Sequence, residues 1–362
     1  AQAAMFGFLN RNKASIALDL KAEGKDVFLK MAHSADIIID NFSYRAVDRL
    51  GIGYEVVSED NPGVIWLSIK GFLPGPLEEL PMLDELAQMM GGLAFMTGPE
   101  GQPLRAGCSA IDIGAATYGV IGVLGALRAR EQAGGRGQYI TAGLFETSAY
   151  LVGQWIAVGQ CSGNPSIPIP KMRQGTRMGW GIYRLFETAD HEQVFIGITS
   201  NTHWRRFCEE FDQPEMLVNP NYENNIDRAH HRPELNAKFA EIIGGLSLEE
   251  ALRRLHAAKV PYAPLRRPDQ LPYERQLIEG DQLVRAKFHD GSTGMVPKLP
   301  FRASGFTMDA WSDAPAHGAD SRRILTELGY SEVEIAMLIA CRAVVSAEPE
   351  APGENDAQEV AR

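Results

Sequence analysis

The chain has 362 residues, of which 45% are hydrophobic and 22% charged, and a formal charge of −11. Such a length supports two domains with separate cores, and the acidic balance argues against general nucleic-acid binding because it repels a polyanion. No apolar run approaches the length needed to cross a bilayer, which excludes a spanning segment on that ground.

Residues 1–50 carry seven Lys/Arg against six Asp/Glu, and the remainder carries 28 against 40, so an anion site is expected near the N-terminus. Cys108, Cys161, Cys208 and Cys341 form no CxxC or Cys/His ligand spacing, so no metal site is expected. They read as reduced, mostly buried thiols of a cytoplasmic protein. There is no charged segment followed by an apolar one at the start, hence no expected signal peptide.

Residues 22–34 have helical apolar spacing, "DIIID" at 36–40 is a β-branched run, and "GVIWLSIK" at 63–70 is another. Their alternation predicts an α/β fold with a parallel sheet. "GFLPGPLEELP" at 71–81 is too rich in Pro and Gly for regular structure, and "DELAQMMGG" predicts a helix after it. From Ile113 to Glu131 runs a long small-residue helix in which Gly119, Gly122 and Gly125 imply a closely packed neighbour. "GGRG" at 134–137 ends it and "QYITA" resumes a strand. A helix is expected over about 145–159, a loop over 160–181, and a hairpin turning at Ala189–His191. Helices follow at about 201–211, 232–244 and 247–258, then an extended proline-punctuated stretch at 260–268 and two helices over about 320–341. The second of those is opened by the capping box Ser331-x-x-Glu334. The tail at 346–362 has the composition of a disordered segment.

GxxxxGK[ST], GxGxxG, HExxH and GxSxG are all absent, and the eight histidines are scattered. In "AGCSAIDIGAATYGV" at 106–120, Asp112 alone reads as a helix N-cap. A helix start also favours an ionised carboxylate, and the small neighbours leave room for a substrate beside it. "LNRNKASIALDLKAEGK", with Lys13 and Lys21, reads alone as a solvated strand edge.

Several stretches together resemble the class III CoA-transferases related to formyl-CoA transferase. They are "LNRNKASIALDLK" at 9–21, "ADIIIDNF" at 35–42, "AVDRLGIGYE" at 46–55, "NPGVIWLSIKGF" at 61–72, "GGRGQYITAGLFETS" at 134–148, "VPYAPLRRPDQL" at 260–271 and "ILTELGYSEVEIAML" at 324–338. The resemblance implies a Rossmann-like large CoA-binding domain at 1–172 and 291–345, a smaller α+β domain at 173–290, and an interlocked homodimer in which the three glycines sit at the interface. It implies an acyl-CoA donor, a carboxylic acid acceptor and Asp112 as the covalent nucleophile. It also implies coenzyme A contacts at Lys13, Leu18, Asp19, Leu20, Lys21, Asn41, Phe42 and Arg49, without metal, nucleic acid or membrane. A first strand-helix unit is expected to be missing before "NRNK", and the loop at 71–88 departs from the family's usual version. The racemase branch of the superfamily has a histidine where this chain has Leu83, and leucine cannot move a proton, so the transferase is favoured. A non-catalytic CoA-binding protein is the rival from another class.

Overall fold

The computed structural model describes residues 2–132, 134–175, 179–307 and 311–347. In chain order the strands are β1 (Ala17–Leu18), β2 (Ile37–Asp40), β3 (Ile65–Lys70), β4 (Gln138–Gly143), β5 (Ile182–Glu187), β6 (Gln193–Ile198), β7 (Tyr262–Pro264), β8 (Leu283–Lys287), β9 (Thr293–Pro297) and β10 (Val344–Val345). The chain forms two compact units, one of Ala1–Leu83, Asp112–Leu144 and Leu271–Arg362, the other of Asp84–Ile111 and Phe145–Gln270. These limits differ from the divisions expected at 172/173 and 290/291. Pattern along the chain records which elements form, not which distant segments pack together. Thus β8 pairs antiparallel with β9 across position 290, a hairpin the sequence reading did not anticipate.

In the first unit β2, β3 and β4 form a parallel sheet in that order, with Asp40 beside Ser68 and Ser68 beside Thr141. The central strand is buried from Ile65 through Ser68, which is why it reads as a nearly unbroken apolar run. One cluster joins Ala32, Val47, Ile52, Val57, Val64 and Trp66. Another joins Ile65, Leu67, Val123, Ala126 and Ala142, and it seats the helix Ala110–Gln132 on the sheet.

The glycines of that helix correct an expectation. A β-carbon at Gly119 would come within 2.8 Å of Leu67, one at Gly122 within 3.2 Å of Ile140, and one at Gly125 would meet nothing within 4 Å. The close neighbour of Gly119 and Gly122 is therefore the chain's own sheet, and Gly125 has no close neighbour within this chain. By length and composition this helix could also cross a membrane, contrary to the expectation that no segment approaches that limit. Its hydropathy comes from the residues that lie on the sheet, such as Val123 and Ala126, and from exposed ones such as Ile113, Val120, Ile121 and Leu124.

β1 pairs antiparallel with β10, and Leu18 packs with Val27, Leu325, Ile335 and Val344. The capping box of Ser331 and Glu334 is present at the helix Glu332–Ala340. Of the predicted disordered tail, residues 348–362 lie outside the described residues.

The second unit contains the antiparallel sheet β5-β6-β7. Its hairpin turns as expected, with His191 in the left-handed region at φ 60°. The helices Asn201–Glu210, Arg232–Gly244 and Leu248–Ala258 supply its core, where the Phe207 and Phe239 rings stack 4.1 Å apart. The helix expected over 145–159 is broken at Val152 into Leu144–Leu151 and Gly153–Ser162, and the loop at 160–181 contains the short helix Ile169–Met172. All four cysteines are free thiols, yet only Cys208 is buried, against the expectation that most would be. The others lie beside a helix start, in a last turn and at a C-cap, where little packs over them.

Candidate active site around Asp112

The helix carrying Asp112 starts at Ala110, which puts Asp112 at its third residue and Ser109 at the N-cap position. The expectation that Asp112 is itself the cap is thereby corrected. The orphan amide of Ile111 is satisfied from elsewhere in the chain, by Asp84 Oδ1 at 2.8 Å. Asp84 is only 8% exposed, and its Oδ2 accepts from Gln88 Nε2 at 2.6 Å. Gln88 turns its own oxygen to the Ala106 amide at 2.7 Å, and the Arg105 guanidinium lies 3.7 Å from Asp84. One buried Asp/Gln pair, spaced by one helical turn in Asp84–Met90, thus grips both ends of the segment leading into Asp112. Asp112 itself is exposed on this chain.

The other expected contacts gather where β1 turns into the helix Gly24–Ala32 and where β2 leads into the helix Ala46–Leu50. Leu20 of the first segment and Leu50 of the second pack against one cluster, and Lys25 Nζ would lie 2.6 Å from a β-carbon at Gly51. Asp19, Lys21, Asn41, Phe42 and Arg49 are exposed there. The side chains of Leu18 and Leu20 are committed to core clusters, and Leu18 also pairs with Val344 across β1 and β10. Lys13 is held differently, donating to Leu9 O at 3.2 Å and Asn10 Oδ1 at 2.8 Å at the end of the helix Gln2–Leu9.

A residue not singled out from the sequence holds the Asn41–Phe42 turn. Asp40 accepts from Trp66 Nε1 at 2.7 Å, Ser68 Oγ at 2.6 Å and Lys70 Nζ at 2.7 Å, and it also accepts from the Phe42 amide at 3.0 Å. Lys70 also donates to Phe42 O. The signal was present as period two in "WLSIK", since Trp66, Ser68 and Lys70 share one face of β3 and the parallel register brings Asp40 beside Ser68. A cavity of about 330 Å3 opens nearby, lined by Tyr44, Arg45, Tyr54, Lys70, Phe72 and Tyr139 among others. None of the expected CoA contacts lines it. Tyr44 donates to Glu78 at 2.8 Å, and that bond raises the pKa of its hydroxyl.

The family model described as CoA-transferase family III matches residues 1–321. The chain belongs to that family. Among curated relatives, the acetyl-CoA:oxalate CoA-transferase of Acetobacter aceti is 30% identical over 314 residues, covering 84% of this chain and 77% of the relative. A formyl-CoA:oxalate CoA-transferase of Escherichia coli is 29% identical over 360 residues, covering 92% and 84%. Among solved structures, a CAIB/BAIF family protein from Brucella suis superposes with a TM-score of 0.79 at 25% identity over 90% of this chain and 84% of that one. A Mycobacterium tuberculosis protein with a TM-score of 0.73 at 21% identity shares the fold, covering 89% and 86%. As a member of CoA-transferase family III the chain is an enzyme that handles CoA thioesters and carboxylates. The residue at the racemase histidine position, Leu83, is exposed and lies immediately before Asp84.

Proposed function

We propose that this enzyme moves CoA from an acyl-CoA to a free carboxylic acid, with Asp112 as the covalent nucleophile. The carrying observation is an exposed carboxylate at the third position of a helix whose preceding amide is already bound by Asp84. With the Ile111 amide bound by Asp84, Asp112 is not needed to cap that group, which supports a reactive role for it. The amides of the first turn favour negative charge there.

The Asp112 carboxylate attacks the thioester carbonyl, the C–S bond breaks, and CoA leaves as thiolate from a mixed anhydride. The thiolate then attacks the aspartyl carbonyl and expels the donor acid, which leaves an aspartyl-CoA thioester. The acceptor carboxylate attacks that thioester to give a second anhydride and thiolate. Attack of this thiolate on the acceptor's acyl carbon forms the new acyl-CoA and restores Asp112. An aspartyl anhydride or thioester keeps the acyl group activated throughout, where a serine ester would not.

CoA is expected along Leu18–Lys21, Asn41, Phe42 and Arg49, where exposed cations meet phosphate and the exposed Phe42 ring offers a face to adenine. The homodimer suggested by resemblance is supported by the apolar stripe of Ile113, Val120, Ile121 and Leu124, each at least 50% exposed on one helix of this chain. The test is Asp112→Asn assayed with an acyl-CoA and oxalate. Turnover is expected to fall by about 1,000-fold or more with the circular dichroism spectrum unchanged. Wild type should yield a hydroxylamine-sensitive adduct on the Asp112 peptide in mass spectrometry, and turnover without any such adduct would refute the covalent route.

A further inference from the structure

Within the second unit a cavity of about 400 Å3 lies where the start of β5 meets the helix Arg232–Gly244. Arg173, Arg184 and Arg232 line it together with Trp180, Tyr183 and Asn236, and no acidic side chain does among the described residues. Among the described residues none of the three guanidinium groups pairs with a carboxylate. Arg173 rests over the Tyr183 ring at 5.3 Å and Arg184 over Phe186 at 5.7 Å. Arg232 is fixed by donating to Trp180 O at 3.1 Å, Gln174 O at 2.6 Å and Gly175 O at 3.2 Å. These bonds use three of its five N–H groups. Burial lowers the pKa of Arg232, and no nearby acid opposes the shift.

Two further details fit a built site. A β-carbon at Gly179 would lie 2.5 Å from the carbonyl oxygens of Arg173 and Gly175 and 2.6 Å from Arg232 Nη2, so the backbone that Arg232 ties together is packed too closely for any residue but glycine there. Asn236 Oδ1 is buried without a hydrogen-bond partner, and turning the amide over would offer Nδ2 as a fourth donor. Three cations gathered without counter-charge, in a chain of net −11, lack the anion that would balance them.

We propose that this cavity binds an organic dicarboxylate, with Arg173, Arg184 and Arg232 holding its carboxylates and Trp180 and Tyr183 flanking an apolar middle. The planar guanidinium fork matches carboxylate and phosphate alike, and the two rings select the organic anion. This assignment rests on reading the chain as a carboxylate CoA-transferase, whose chemistry calls for organic acids as ligands. The volume and the rings favour a ligand larger than oxalate.

The test is calorimetric titration of the full chain with oxalate, succinate, benzene-1,2-dicarboxylate, acetate and inorganic phosphate, without acyl-CoA, so that the readout is independent of turnover. Benzene-1,2-dicarboxylate is expected to bind at least about tenfold more tightly than acetate or phosphate, and Arg173→Gln and Arg184→Gln each to weaken it by about tenfold. Both substituted arginines are exposed on this chain, and the backbone bond of Arg184, to the adjacent Leu185 O at 3.3 Å, ties no distant segments together as those of Arg232 do. Trp180 fluorescence should change with saturation in step with the calorimetry. Absence of saturable dicarboxylate binding, equal affinity for phosphate, or binding unaffected by both substitutions would overturn the proposal. These results leave the Asp112 adduct experiment untouched, so failure of the site and failure of the transferase reading are separable.

Discussion

Removing the Asp84 carboxylate tests whether the clamp before Asp112 is what presents it. In Asp84→Ala the Ile111 amide and one Gln88 N–H lose their acceptors in a buried setting. Each such loss is worth about 1–3 kcal/mol, so about 2–6 kcal/mol of local stability should disappear. Asp84→Asn is the sharper probe. Its remaining oxygen can keep the Ile111 amide, but its amino group then faces Gln88 Nε2. Gln88 can turn over only by surrendering the bond from the Ala106 amide. One of three bonds is lost whichever way the amides point, so a loss of about 1–2 kcal/mol is expected. Hydrogen exchange followed by mass spectrometry reads this directly across 106–112. A loss of about 2 kcal/mol corresponds to exchange about 30-fold faster. Because a misplacement of about 1 Å at a reacting group can reduce rate about 100-fold, turnover of Asp84→Ala should fall by that order. KM for acyl-CoA should hold, since Asn41, Phe42 and Arg49 sit on other elements. Unchanged exchange across 106–112 in Asp84→Ala would refute the clamp. Faster exchange with wild-type turnover would show that the clamp serves the fold and not the position of Asp112.

Two further predictions concern packing and pH. Gly119→Ala should lower the melting temperature, because about 1–3 kcal/mol of overpacking against Leu67 exceeds the gain of about 1 kcal/mol from helix propensity. Gly125→Ala has open space around it and should raise the melting temperature; the reverse pairing would mean the helix does not sit on β3 as described. Burial pushes the Cys208 thiol up to about 12, so the folded state binds its proton more tightly than the unfolded chain does. Its contribution to stability is therefore complete below the unfolded thiol value of about 8.5 and is lost as pH rises toward 12. Iodoacetamide at pH 8 should leave Cys208 unlabelled in the folded protein and label it in denaturant. Labelling of folded Cys208 at pH 8 would contradict its burial.

Much of the local structure was legible because it depends on neighbours a few residues apart. The apolar run at 63–70 carries its burial in its composition, and the Ser331–Glu334 capping box is a relation between residues three apart. The position of Asp112 near a helix start was legible for the same reason. Its cap was not, since the acceptor for Ile111 comes from Asp84, a residue 27 positions away. The Asp40 network spans 26–30 positions and becomes visible only when the parallel register of β2 and β3 is known.

Family membership and the parallel α/β core were within reach of the sequence by itself, because motif order and hydrophobic period are written along the chain. Tertiary structure alone decided what each glycine packs against, which segments share a unit, and where three unpaired arginines meet around one cavity. Those are relations between surfaces, and a surface exists only after segments distant in sequence have been brought together.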